Sequence, residues 1–182
     1  MIGWIVTGVV LGAGVITWGY YNRFVVLENR IDNSLSQIDV QLKRRADLIP
    51  NLIETVKGFT KHESTAIKEV TEARKALVSA KNLTKKVEAN NVLDGALGKL
   101  FAIAENYPDL KANTNFLELQ RELTSTEDKV AYSRQFYNDS ILSYNTLCKA
   151  FPGVMFASIF GRKSKEYLKI APVEREVVKV KF

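Results

Sequence analysis

The chain has 182 residues, which suits a single domain, and its 46% hydrophobic and 25% charged residues are typical of a chain that folds. The 26 Lys+Arg against 20 Asp+Glu give a net charge of +6. The single cysteine, Cys148, excludes an intramolecular disulfide framework and a Cys-rich zinc site, and the single histidine, His62, excludes a multi-histidine metal site.

Residues 1–22 are predicted to form a transmembrane anchor. The stretch 2–21 carries no charge, and its helical length at about 1.5 Å per residue matches a hydrocarbon layer about 30 Å thick. A cleaved signal peptide is disfavoured because no Lys or Arg precedes the apolar run, and a buried core helix is disfavoured because the run has no polar face. Aromatic residues near both ends resemble an interfacial belt: Trp4, Trp18, Tyr20 and Tyr21.

Two further features of this segment bear on assembly and orientation. Gly8 and Gly12 form a G-x-x-x-G spacing, which permits homo-oligomerisation through closely packed membrane helices, although glycine is also common in membrane helices generally. Arg23 and Arg30 follow the segment, so the positive-inside rule favours a cytoplasmic body at the cell membrane.

Residues 23–152 are predicted to form an antiparallel, up-and-down four-helix bundle in an all-α fold. Apolar residues recur at steps of three and four rather than in strict alternation, which indicates helices and not strands. A seven-residue repeat near the end of this region is typical of helices packed nearly parallel or antiparallel. Its members are Phe116, Leu123, Val130, Tyr137, Tyr144 and Phe151.

The helix boundaries are predicted from prolines, caps and polar stretches. We expect a break near Pro50 with Asp47 as a cap, a turn within 81–91, and a cap at Asn115 supported by Glu118. The alternative to the break is one kinked helix from 24 to about 80, since the apolar rhythm continues across Pro50. A break is favoured because four short-looped helices close one core. The predicted helices span 24–46, 48–80, 90–106 and 115–151.

Three charged residues fall within the apolar seams: Arg45, Glu127 and Arg134. A buried charge costs several kcal/mol unless it is paired and hydrogen-bonded. These side chains therefore form an interhelical ion-pair network, bind a small ligand as a polar spot, or extend from the edge of the core into solvent. The sequence leaves all three readings open.

The sequence predicts no catalytic, cofactor-binding or metal-binding residues. His62 is expected to be exposed or at a seam edge, and Cys148 to be a packed thiol, because no local Cys-His arrangement accompanies it. A di-metal bundle needs Glu-x-x-His pairs, for which a second histidine is missing. The phosphate-binding and nucleophile-elbow motifs are absent from the sequence, so we interpret the chain as a non-enzyme without a cofactor.

The tail, residues 153–182, is apolar and then basic. From residue 161 onward it holds seven Lys+Arg and three Asp+Glu, and an apolar segment followed by cations is typical of a membrane-surface contact. In an up-and-down bundle the fourth helix returns to the membrane, which places this tail at the bilayer. The alternative is that the apolar segment covers the open end of the bundle. Nucleic-acid binding is not supported, since the basic residues form no readable motif. The expected membrane-contacting residues are Met155, Phe156, Ile159, Phe160, Arg162, Lys163 and Lys165.

Long stretches of the chain resemble the LemA family of bacterial membrane proteins. They run from YNRFVVLENRIDNSL to FTKHE (21–63), from NNVLDGALGKL to RQFYND (90–139), and through SYNTLCKAFP (143–152). The resemblance implies a single-pass membrane protein with an antiparallel four-helix body and no established biochemical activity. It supplies no catalytic residues. A family member that serves the magnetosome membrane suggests, by analogy alone, a role in membrane organisation.

We therefore interpret the chain as a membrane-anchored bundle that acts through contacts with the lipid bilayer and an unidentified protein partner. The alternative is a membrane-tethered sensor that binds a small ligand at the polar seam.

Overall fold

The structure, a computed structural model, describes residues 1–60 and 63–168. Within these residues it contains helices and no strand, so the predicted all-α class is confirmed. The described residues form two compact units: unit one comprises Met1–Ser36 and Arg134–Leu168, and unit two lies within Gln37–Ser133. The helices are α1 (Ile2–Phe59), α2 (Ser64–Ser79), α3 (Leu83–Ala104), α4 (Pro108–Lys111), α5 (Thr114–Lys149) and α6 (Gly153–Ile159).

The predicted break at Pro50 is wrong, because α1 runs through this proline. Proline has no N–H, so the carbonyl of Ala46, four residues earlier, loses its partner within the helix. Arg74 of α2 supplies the missing donor, since its Nε donates to the Ala46 oxygen at 2.7 Å. With that carbonyl satisfied from outside, α1 continues, and Asp47 lies inside the helix and caps nothing. The alternative of one helix to about residue 80 is also wrong, because α1 ends at Phe59.

The predicted turn lies at the start of the polar stretch 81–91, but it is short, because α3 begins at Leu83 and not at residue 90. α3 begins at Leu83, and the side chain of Asn82 caps it by accepting a hydrogen bond from the backbone N–H of Lys85 at 2.9 Å. Asn90 is buried within α3, and its side-chain amide donates to Asp94 at 3.0 Å. Asn82 is therefore a helix cap, and Asn90 is a buried polar residue within the helix.

The cap of α5 lies two residues earlier than predicted. The helix begins at Thr114, and the side chain of Asn113 accepts from the backbone N–H of Phe116 at 3.0 Å. Asn115 lies within the first turn, so the predicted cap of Asn115 with Glu118 is wrong.

Unit two contains four long helical segments in up-and-down order: residues 37–59 of α1, then α2, α3 and residues 114–133 of α5. α1 and α3 run parallel, because the ion pairs Asp39–Lys86 and Arg45–Asp94 advance in the same direction along both helices. A short turn, 80–82, reverses the chain between α2 and α3. The core of this unit includes Ile38, Leu42, Ile49, Leu52, Val56, Val70, Leu77, Leu93, Leu97, Leu100, Leu123 and Val130.

In unit one, α1 and α5 run antiparallel. The rings of Phe24 and Tyr144 are 5.9 Å apart, and the guanidinium of Arg30 lies 4.8 Å from the ring of Phe136. The buried cluster of this unit consists of Phe24, Ile31, Ile141, Tyr144, Leu147, Cys148 and Ala157.

Candidate functional site

The beginning of α1 has the length and composition of a membrane-spanning helix. An 18-residue window within α1, near the N-terminus, has a mean hydropathy of 1.7, and none of it is buried. The threonine hydroxyls donate to carbonyls of their own helix, Thr7 to Gly3 at 3.0 Å and Thr17 to Ala13 at 2.8 Å, so they need no water. Gly8 has open space around its α-carbon, as has Gly12.

The residues after Pro152 form α6, whose inner face packs against α1 where the apolar segment ends. The ring of Phe156 stacks on Tyr20 with centroids 4.5 Å apart. Phe160 makes edge contacts with Tyr21 at 5.4 Å and with Phe24 at 6.2 Å. Because Tyr20 belongs to the aromatic end of the apolar run, these contacts fix α6 beside that end.

The approach of α6 to α5 requires a glycine. A Cβ added at Gly153 would lie 2.2 Å from the backbone oxygen of Leu147, a distance that side chains do not adopt. Ala157, one turn later, is buried against the same cluster. The small residues Gly153 and Ala157 thus allow the inner face of α6 to dock.

The outer face of α6, defined here as Val154, Met155 and Ile159, is exposed together with the preceding Phe151. Ile159 is 69% exposed and Phe151 81%. Of the four apolar residues predicted to contact the membrane, the structure therefore turns two outward, Met155 and Ile159, and packs Phe156 and Phe160 inward.

The three predicted cations are also distributed differently. The Nη1 of Arg162 lies 2.7 Å from Glu28 of α1, and the same carboxylate accepts from the hydroxyl of Tyr144 at 3.2 Å. Lys165 lies over the ring of Tyr144 at 5.6 Å, and both Lys163 and Lys165 are exposed. Arg162 thus holds the segment to α1, while the two lysines remain accessible.

Burial in this cluster disfavours ionisation of two groups, the Tyr144 phenol and the Cys148 thiol. Desolvation raises the pKa of Tyr144 strongly, and the nearby Glu28 raises it further. Burial likewise raises the pKa of the Cys148 thiol. Cys148 is therefore a packed thiol rather than an activated nucleophile.

The segment that follows α6, residues 162–168, is held along α5 by two asparagines. The side chain of Asn145 accepts from the N–H of Lys165 and donates to its carbonyl, both at 2.8 Å. Asn138 binds the backbone of Leu168 in the same way, at 2.9 and 3.2 Å. Asn138 and Asn145 are seven residues apart on α5, a distance of about 10 Å, which three extended residues also span. The spacing of the two asparagines therefore matches the spacing of Lys165 and Leu168.

In unit two, Arg45 forms a buried polar cluster with carboxylates of two other helices. Its side chain is 2% exposed, pairs with Asp94 of α3, and lies 3.5 Å from Glu127 of α5. The Nε and Nη1 of Arg45 have no hydrogen-bond partner among the residues that the structure describes. The structure thus brings Arg45 and Glu127 together as two members of the predicted polar seam.

The third predicted seam residue, Arg134, belongs to unit one and is buried. Sequence analysis missed Asp94, because a single carboxylate on an otherwise amphipathic helix gives no signal that distinguishes it from a surface residue.

No cluster of three or more potential metal ligands occurs within residues 1–60 and 63–168. His62 lies outside the described residues, as does the tail from residue 169 onward.

Together, the helical fold and the candidate span in α1 indicate a membrane-associated helical protein. The model of the LemA family matches residues 34–182, so the chain belongs to the LemA family, as the resemblance predicted.

The chain is also similar to several curated proteins. The Magnetosome protein MamQ of Magnetospirillum gryphiswaldense is 26% identical over 178 residues, which covers 84% of this chain and 65% of that protein. Protein LemA of Metamycoplasma hominis is 28% identical over 134 residues, which covers 73% of this chain and 61% of the relative. The chain therefore spans less than two thirds of the length of these relatives.

Proposed function

We propose that this chain is a membrane-anchored, non-enzymatic interaction module whose α6 lies in the bilayer interface. Residues 1–22 serve as the anchor, 23–152 as the body that engages a protein partner, and 153–182 as a membrane-contacting tail. The observation that carries the proposal is the stack of Phe156 on Tyr20, because it fixes α6 at the aromatic end of the apolar segment.

The outer face of α6 supplies a reason for surface binding. Full burial of one large apolar side chain is worth roughly 1.5–3 kcal/mol, and a cation near an anionic membrane adds about 1 kcal/mol. Met155 and Ile159 are exposed on the same helix, and Lys163 follows them. Such a short helix would not hold the protein on a membrane by itself, but the anchor already keeps it there. Its contact then fixes how unit one meets the bilayer.

The depth of Ile159 in the bilayer tests this proposal. In a chain with Trp4→Phe and Trp18→Phe, reconstituted in nanodiscs, we expect Ile159→Trp fluorescence to be quenched by lipids brominated near the headgroup. Tyr132→Trp, at an exposed aromatic position of unit two, is the control and should not be quenched. Equal quenching of both, or of neither, would contradict the contact of α6 with lipid.

We further propose that the body is cytoplasmic, supported by Arg23 and Arg30 after the apolar segment. Cys148 is buried, so a different thiol must be labelled. In a Cys148→Ala chain we expect the exposed position Ser79→Cys to resist a membrane-impermeant maleimide in intact cells and to react after lysis. Reaction in intact cells would place the body outside.

A second candidate function, a tethered sensor, is favoured by the two guanidinium nitrogens of Arg45, Nε and Nη1, that lack a partner among the described residues. A small polar ligand that binds them would stabilise the folded state by mass action. The low-molecular-weight fraction of a cell extract should then raise the Tm of the native chain but not that of Arg45→Met/Asp94→Leu. No rise in the native chain would contradict this candidate.

A further inference from the structure

A cavity of about 390 Å³ opens between α1, α2 and the first turns of α3 in unit two. The buried side chains of Leu42, Ala46 and Leu77 form an apolar floor. Its volume lies within the usual range of small-molecule sites, roughly 300–1,000 Å³, which likewise combine an apolar lining with a few polar groups. The charged residues of its wall are Asp39, Lys43, Asp47, Arg74 and Lys86.

The three cations and two carboxylates of this wall leave one positive charge in excess. The Nζ of Lys86 lies 2.8 Å from the carboxylate of Asp39, so these two charges neutralise each other. Lys43 and Asp47 are four residues apart on α1 and therefore lie on the same face with balancing charges. The guanidinium of Arg74 is the surplus cation.

Arg74 is also held in a fixed orientation before any ligand arrives. Its Nε donates to the Ala46 carbonyl at 2.7 Å, which is free to accept because Pro50 lacks an N–H. That bond uses one nitrogen of the guanidinium and leaves the two Nη nitrogens. A guanidinium donates readily to carboxylates, and fixing it beforehand reduces the entropy that binding must overcome.

We propose that this cavity binds a small amphiphilic carboxylate. The carboxylate accepts from the Nη groups of Arg74, and the apolar part covers Leu42 and Leu77. This site is separate from the Arg45 cluster and does not depend on the contact of α6 with the membrane.

Hexanoate and its neutral isostere hexanamide are the probes, titrated into the full chain in nanodiscs with empty nanodiscs subtracted. We expect saturable binding of one hexanoate per chain, and binding of hexanamide weaker by about tenfold, because the charge-assisted bond is lost. Absence of saturable hexanoate binding, or equal affinity for both probes, would overturn the proposal.

Arg74 also donates a hydrogen bond to the Ala46 carbonyl, so the variants must keep that carbonyl satisfied. Arg74→Gln alone leaves the Ala46 carbonyl without a donor, so it is made in a Pro50→Ala chain, where residue 50 again supplies an N–H. Pro50→Ala/Arg74→Gln should bind hexanoate about tenfold more weakly than Pro50→Ala. The matched control is Pro50→Ala/Lys75→Gln, which removes the same charge from an exposed neighbour outside the cavity wall and should bind as Pro50→Ala does. Equal affinities of the Arg74 and Lys75 variants would also overturn the site.

Discussion

Arg45→Ala should lower the free energy of unfolding of unit two by about 3–5 kcal/mol. The Arg45 side chain is 2% exposed and that of Asp94 is 27% exposed, so their mutual interaction is poorly screened by water. Removing the guanidinium takes the cation of this ion pair away from the half-buried carboxylate of Asp94. Hydrogen exchange of the unit-two amides in nanodisc-embedded protein measures this change.

The neighbouring residue supplies a matched control. Arg44 also forms an interhelical ion pair, 2.8 Å from Glu122, but both side chains are exposed, at 51% and 42%. An exposed pair of this kind is worth about 0–1 kcal/mol, so Arg44→Ala should have little effect. Equal losses for Arg44→Ala and Arg45→Ala would show that burial of Arg45 has no energetic consequence.

Removing both partners should restore most of the stability. In Arg45→Met/Asp94→Leu, apolar side chains fill the volume that the ion pair occupied, and neither charge is left buried alone. We expect this double variant to be at least about 2 kcal/mol more stable than Arg45→Ala. If it is as unstable as Arg45→Ala, an isolated carboxylate does not explain the first result, and the loss of the ion pair itself does.

The core of the fold followed from apolar periodicity, because periodicity reports which side of a helix is buried. In the seven-residue repeat, Phe116, Leu123, Val130 and Tyr144 are indeed buried. Phe151 keeps the spacing but is 81% exposed, because α5 has already ended at Lys149. Periodicity alone does not say where a helix stops.

The boundary errors share a physical cause. Proline signals a break because it leaves a carbonyl unsatisfied, but a donor 28 residues away in sequence, on Arg74, satisfies that carbonyl. Asn90 likewise signals a turn, but it is buried within α3, and its side chain bonds to Asp94 one turn along the same helix. In both places a local rule is overridden by a hydrogen bond formed in the folded helices.

From the sequence, a residue of a candidate site could be predicted only where its type is unusual for its position. Arg45 was identified because a charge in an apolar seam is unusual, whereas its partner Asp94 required the structure. The apolar tail was identified by composition, but the division of α6 into an inner face with Phe156 and an outer face with Ile159 depends on its packing.

Gly153→Ala should displace α6 from unit one and destabilise that unit by about 1–3 kcal/mol. The added Cβ would meet the backbone oxygen of Leu147 at 2.2 Å, and a backbone atom cannot rotate away as a side chain can. We expect the contact between the rings of Tyr20 and Phe156 to be lost, which nuclear Overhauser effects between them would report. Lipid quenching of Ile159→Trp should weaken in the same chain, because the position of α6 beside the apolar segment depends on that docking.

The control for Gly153→Ala is Ser158→Ala, which changes an exposed residue of the same helix. It should leave both the ring contact and the quenching intact. Hydrogen exchange of the unit-one amides measures the free energy of unfolding of this unit in each of the two variants. If Gly153→Ala retains the Tyr20–Phe156 contact and the stability of Ser158→Ala, the close approach of α6 to Leu147 does not hold this helix in place, and its position at the membrane must have another cause.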